Sequence, residues 1–232
     1  LPVVSEMAGA LEEIDGFVGG CVADGLTDAV VMGMGGSSLF PEVLARSFPA
    51  SPGALRLHVL DSTDPAAVAR IAAHLDPATT LFLASSKSGS TIETRSHLDF
   101  FWERVSRGDR FAVVTDPGSE LGKLARERGF RHVFENRPDI GGRYSALSYF
   151  GLVPAALAGV DWTALVSGAV ALVPSLQSPD PAVNVGLQLG AVLGAAVQAG
   201  RDKVTLVIDP RIATFGLWLE QLLAESTGKA GT

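Results

Sequence analysis

Cysteine is almost missing from this chain of 232 residues: Cys21 stands alone. A single thiol excludes an intramolecular disulfide framework and a cysteine zinc cluster, and its expected role is a buried, inert side chain. Histidine is scarce too. His58, His74, His97 and His132 show no metal-ligand spacing and read as structural or exposed, so no metal is expected. Basic charge is in short supply, with 18 Lys and Arg against 25 Asp and Glu and a net charge of −7. Such a balance attracts neither nucleic acid nor an anionic membrane, and any anion site must be a local device in an acidic protein. The sequence lacks an apolar run of about 18 residues free of charges and breakers, so no membrane-spanning helix is expected. Nor does its start show a basic, apolar, small-residue signal pattern, and a cytoplasmic location is the expectation. The chain opens on Leu1-Pro2 rather than Met, which leaves room for an upstream segment. Solenoid repeats and low-complexity stretches are absent as well. Hydrophobic residues at 47% with 19% charged residues exclude wholesale disorder and suffice for a packed core.

What the chain does have is the stretch Ser85-Ser86-Lys87-Ser88-Gly89-Ser90-Thr91-Ile92-Glu93-Thr94. It follows the apolar run Leu81–Ala84, which reads as a buried strand, and precedes a helical pattern through Leu98, Phe101, Trp102 and Val105. A strand that turns through small hydroxyl residues into a helix N-terminus is suited to an anion, because the first-turn N–H groups and the helix dipole both favour negative charge. Ser86, Ser88, Ser90 and Thr91 add hydroxyl donors, and Lys87 adds a compact positive charge. Phosphate is the first expectation. The plainer alternative is a Ser/Thr cap on an ordinary loop.

Along the chain, apolar runs alternate with helical patterns. Helical spacing covers Val3 to Val22, and Ala29–Met32 reads as a strand running into Gly33-Met34-Gly35-Gly36-Ser37-Ser38. A helix through Leu39, Val43 and Leu44 follows, then a strand Leu55–Leu60 and a helix started by Asp64 and Pro65. Phe111–Thr115 is a further strand, Leu121 and Leu124 belong to a helix, and Arg131–Phe134 reads as a short edge strand. Such alternation predicts an α/β fold: a doubly wound parallel sheet with helices on both faces and ligands beyond the carboxyl ends of its strands. The pattern turns helical from Tyr149 to Ala199, with a break at Ser178–Pro181 and a helix over 182–198. A last strand, Val204–Ile208, and a helix bearing Phe215, Trp218, Leu219, Leu222 and Leu223 read as the start of a second α/β unit. The expected division is therefore 1–178 for the first domain and 179–232 for the connecting helix and second unit.

Three further stretches carry chemistry. Gly33–Ser38 begins like a dinucleotide fingerprint, but its sixth position is Ser38 rather than Gly. Asp61 at the end of the next strand would be the ribose-binding acid of such a nucleotide-binding oxidoreductase; a loop approaching a sugar or phosphate closely, or a plain turn, are the other readings. Asp139-Ile140-Gly141-Gly142-Arg143-Tyr144-Ser145 sets one arginine in a glycine-lined loop, either to hold an oxyanion or as a solvated surface residue. Gln221 and Glu225 lie four apart on the last helix and share one side of it. A carboxylate near a helix C-terminus opposes the dipole, which points to function or a nearby cation unless the glutamate is simply solvated.

Together, Gly35-Gly36-Ser37, Ser86 to Thr94, Gly141 to Ser145 and Glu220 to Lys229 resemble the phosphoglucose isomerase family, built from sugar-isomerase (SIS) domains. The wording of Asp61–Pro65, Pro138–Ala156 and Ala224–Lys229 is most similar to the isomerase module of bacterial bifunctional transaldolase/phosphoglucose isomerases, which admits a fusion to a transaldolase domain. The resemblance implies a flavodoxin-like, SIS-type sheet and an enzyme of glycolysis and gluconeogenesis, usually a homodimer, that interconverts glucose 6-phosphate and fructose 6-phosphate without a cofactor. Ser86, Ser88 and Thr91 would bind the sugar phosphate, with Lys87 beside them, and Gly36 and Ser37 would line the sugar. Gln221 would contact substrate, Arg143 would stabilise a cis-enediolate, and Glu225, its pKa raised by burial, would be the base. The family's ring-opening histidine and its C-terminal lysine follow the glutamate motif and would fall beyond Thr232. A non-catalytic sugar-phosphate-binding SIS module is the alternative.

Overall fold

The computed structural model describes residues 2–49 and 51–228. Five strands form one all-parallel sheet: β1 (Asp28–Gly33), β2 (Arg56–Leu60), β3 (Thr80–Ser85), β4 (Phe111–Thr115) and β5 (His132–Glu135). Their spatial order is β2-β1-β3-β4-β5, the flavodoxin-like arrangement. Every residue of β1, β3 and β4 is buried, which explains why these strands read as unbroken apolar runs rather than alternating ones.

Side-chain alternation along each strand divides the core in two. Ala29, Val31, Leu81, Leu83, Ala112 and Val114 point to one face. There they meet α1 (Pro2–Ala8), α2 (Leu11–Ala23), α3 (Leu39–Ser47), α7 (Tyr149–Leu157) and α8 (Trp162–Gln177). Val30, Met32, Phe82, Ala84, Phe111 and Val113 point to the other, against α4 (Pro65–Ala73), α5 (Ile92–Val105) and α6 (Glu120–Glu127). Helices thus cover both faces, as the alternation predicts. Asp64 caps α4 by accepting from the Ala67 N–H, with Pro65 in the first turn.

The chain passes from β1 to β2 on one side, then crosses to β3 on the other. The loops after β1 and β3 therefore diverge at a topological switch point, where the sheet leaves a crevice.

Three expectations are corrected. The helix expected from Val3 to Val22 is two helices, broken at Gly9, whose N–H turns back to the Glu6 carbonyl at 2.9 Å. The helix expected over 182–198 starts at Val185 as α9 (Val185–Gln198), because the Asn184 side chain accepts from the N–H groups of Gly186 and Leu187. The strand expected at Val204–Ile208 does not form: the segment is irregular, and Val207 is 98% exposed. A strand requires a neighbour, and the edges of this sheet, β2 and β5, pair with β1 and β4 only. Neither α9 nor α10 (Phe215–Thr227) has a buried residue.

Candidate functional site

All five strands are parallel, so the loops after β1, β3, β4 and β5 emerge at one edge of the sheet. The turn after β3 is built from hydroxyls. Ser86, only 3% exposed, places its Oγ 2.9 Å from Thr91 Oγ1 and accepts the Gly89 N–H at 3.2 Å. Gly89 sits at φ +70°, and an added Cβ would come within 2.9 Å of the Ser119 and Leu121 Cβ atoms, so both its conformation and its neighbours require glycine. Ser88 Oγ accepts the Ser90 N–H at 3.2 Å and lies 2.9 Å from Ser90 Oγ; both residues are exposed. Thr91 is the N-cap residue of α5, and its side chain makes no capping hydrogen bond to the helix. Its first-turn N–H groups thus suit an anionic group of a ligand.

The loop after β5 runs back over the sheet to β1. It closes as a 3-10 helix, Gly142–Leu147, that packs on the Gly35–Ser37 turn following β1. A Cβ on Gly36 would fall 2.2 Å from the Gly142 carbonyl oxygen, so the two backbones meet where only glycine fits. Ser145 Oγ donates to the Gly142 carbonyl at 2.6 Å and lies 3.3 Å from the Gly36 carbonyl, fixing the seam.

On this seam lies the end of α10. Arg143 Nη1 faces Glu225 Oε2 at 3.4 Å, and Arg143 Nε donates to Ser226 Oγ at 3.0 Å. Gln221 Nε2 donates to Glu225 Oε1 at 3.0 Å, one helical turn away. Gly35, at φ +55°, leaves room for that amide, since an added Cβ would lie 3.2 Å from Gln221 Nε2. Tyr144 OH lies 2.9 Å from Ser226 Oγ, and the Arg143 guanidinium stands 4.6 Å from the Tyr144 ring centroid. The cation implied by a carboxylate at a helix C-terminus is therefore Arg143. In such a pair the guanidinium is equipped to stabilise an oxyanion and the carboxylate to accept a proton from carbon.

The structure thus gathers Gly36, Ser37, Arg143, Gln221 and Glu225 at one seam, and Ser86, Ser88 and Thr91 at the neighbouring turn of the same sheet edge. Lys87 is tied down beside them: its ammonium donates to the Asp116 carboxylate and, at 2.7 Å, to the Pro138 carbonyl. The expected burial of Glu225 is corrected, because its side chain is 49% exposed. α10 packs on α3 and the two 3-10 turns, and Glu225 lies on an exposed part of it. Lys229 lies outside the described residues. Ser226 and Tyr144 join the network without having been singled out from sequence, although each is the immediate neighbour of a residue that was.

A five-stranded flavodoxin-like sheet, with a hydroxyl turn at its switch point and an Arg–Glu pair on the same edge, defines a doubly wound α/β protein. Residues 3–232 match the family model described as phosphoglucose isomerase, and the chain belongs to that family. A glucose-6-phosphate isomerase of Nostoc sp. (strain PCC 7120 / SAG 25.82 / UTEX 2576) is 32% identical over 98% of this chain and 46% of its own length. One from Rubrobacter xylanophilus is 35% identical over 90% of this chain and 52% of its length. Among solved structures, a hypothetical protein from Thermus thermophilus superposes with a TM-score of 0.84 at 30% identity, covering 99% of this chain and 56% of that one. A glucose-6-phosphate isomerase from Chlamydia trachomatis superposes with a TM-score of 0.82 at 26% identity, over 98% and 45%. The chain spans about half the length of the curated relatives it matches.

Proposed function

We propose that this chain carries the sugar-phosphate half of an aldose–ketose isomerase acting on glucose 6-phosphate and fructose 6-phosphate. The observation that carries this reading is the Arg143–Glu225 pair at 3.4 Å, set on the same sheet edge as the uncapped turn at Ser86–Thr91. Binding of the remote phosphate at Ser86, Ser88 and Thr91 fixes the reacting carbons. Glu225 removes the proton from C2 of the open-chain aldose, giving a cis-enediolate whose oxygens Arg143 stabilises. The proton then returns to C1, and transfer of the hydroxyl proton from O2 to O1 completes the ketose. Gln221 holds Glu225 by its Oε1, while Oε2 faces Arg143.

The exposed apolar residues of α9 and α10, among them Leu189, Val192 and Leu217, support a second α/β unit packing there in the whole protein. On this division, 1–178 is the first SIS-type domain and 179–232 leads into the second. A homodimer and a transaldolase fusion belong to the same reading.

The half-exposed Glu225 favours one rival, a module that binds sugar phosphates without turning them over. A coupled assay for fructose 6-phosphate formed from glucose 6-phosphate separates the two. Turnover supports the isomerase; saturable binding without turnover, in a chain extended to the length of its relatives, overturns it.

A further inference from the structure

The loops after β3, β4 and β5 are joined by side chains as well as by backbone. Lys87, two residues past β3, sends its ammonium to Oδ2 of Asp116, the residue after β4. The same ammonium donates at 2.7 Å to the carbonyl of Pro138, past the end of β5. Two of its three N–H groups thus have partners, leaving one for a ligand. The backbone reinforces the crossing: the Asp116 N–H donates to the Lys87 carbonyl at 3.0 Å, and Thr115 Oγ1 approaches the same carbonyl at 3.4 Å.

Asp116 has an otherwise costly feature. Its Oδ1 is buried and has no hydrogen-bond partner among the described residues. An unpaired buried acceptor is destabilising, and an apolar residue at this position would avoid the cost. What the carboxylate supplies is a fixed negative charge that holds the ammonium between two loops. Those loops are the two that a hexose 6-phosphate would span: the Ser86–Thr91 turn at one end and the segment leading from Pro138 to Arg143 at the other.

We propose that Asp116 is a positioning residue which, through Lys87, sets the spacing between the phosphate turn and the Arg143 loop. The inference rests on the isomerase reading above, in which one substrate must touch both loops at once. Asparagine at this position keeps the shape and removes the charge. Lys87 then loses its ionic anchor, and its tie to the Pro138 carbonyl is held less firmly.

Amide NMR titrations of the whole chain test this. In the wild type, inorganic phosphate should shift Gly89, whereas glucose 6-phosphate should shift both Gly89 and Gly142. In Asp116→Asn, the half-saturation of Gly89 by inorganic phosphate should stay within about twofold, while that for glucose 6-phosphate rises about tenfold and the Gly142 shift shrinks. Lys87→Met should abolish the Gly142 response as well. Equal weakening of both ligands in Asp116→Asn, or no change in either, overturns the brace. A wild-type chain that answers inorganic phosphate at Gly89 but glucose 6-phosphate no differently overturns the isomerase reading itself, and the brace with it.

Discussion

Gly36 and Gly142 touch backbone to backbone, so closely that a methyl group on Gly36 would sit 2.2 Å from the Gly142 carbonyl oxygen. The obstruction is a carbonyl held in a 3-10 turn, which cannot swing aside as a flexible side chain can. Gly36→Ala should therefore lower stability by about 1–3 kcal/mol, the usual cost of overpacking. Urea unfolding measures the loss. Serine at Gly142, whose own Cβ would meet only the Gly36 Cα at 3.9 Å, should be milder.

Ser86 shapes the turn from within. Its hydroxyl ties Thr91 to the Gly89 amide, so Ser86→Ala should loosen the turn that supports the anion. Glucose 6-phosphate at about a hundred times its dissociation constant should stabilise the wild type by roughly 2.7 kcal/mol, seen as a rise in Tm. Most of that rise should vanish in Ser86→Ala. An undiminished rise would place the phosphate elsewhere.

Glu225→Gln keeps the size of the side chain and removes its basicity. Where turnover is measured, it should fall by about 10²–10⁴-fold, the range for a positioned general base. Binding of sugar phosphate should survive, since the Ser86–Thr91 turn is untouched. Near-normal turnover would remove Glu225 from the role of base.

His97 gives the fold an acid sensitivity. Burial, its largest influence, lowers its pKa below the ordinary 6.5, against the opposing pull of the Ser62 carbonyl and of Asp61 and Glu93. The ring nitrogen Nε2 lies 3.0 Å from that carbonyl, and Nδ1 is buried without a partner among the described residues. The unfolded chain therefore takes up the proton before the folded one does. Stability is full above pH 6.5 and declines as pH drops from there toward the folded value. The slope for one such group reaches at most about 1.4 kcal/mol per pH unit. Urea unfolding from pH 7.5 to pH 5 should show a shallower decline in His97→Gln, which retains a donor for the Ser62 carbonyl.

The central strands β1, β3 and β4 are legible in the sequence because burial on both faces leaves a mark on every residue. Leu81 to Ala84 shows it plainly. Val204 to Ile208 carries the same mark and forms no strand, since pairing depends on a neighbour that composition does not encode. The loops that meet at the site are legible as glycine, hydroxyl and charged clusters at strand ends. The meeting of Arg143 with Glu225, 82 positions apart, is a product of topology. Asp116 shows the limit: Asp116-Pro117-Gly118-Ser119 reads as an ordinary turn, and its link to Lys87 exists only because β3 and β4 lie side by side. Exposure of Glu225 was equally hidden, because helical spacing marks an apolar side without saying what covers it.

α10 carries Gln221, Glu225 and Ser226, yet none of its residues is buried. Phe215, Trp218, Leu219, Leu222 and Leu223 are partly buried, so detachment of the helix costs something, but less than opening the fully buried strands of the sheet. In this chain the two halves of the site would then belong to different cooperative units, the hydroxyl turn sharing the fate of β3 and the carboxylate that of α10. Amides along α10 should exchange with solvent by local opening long before those of β1 and β3, and a ligand that bridges both halves would slow the first group while leaving the second unchanged.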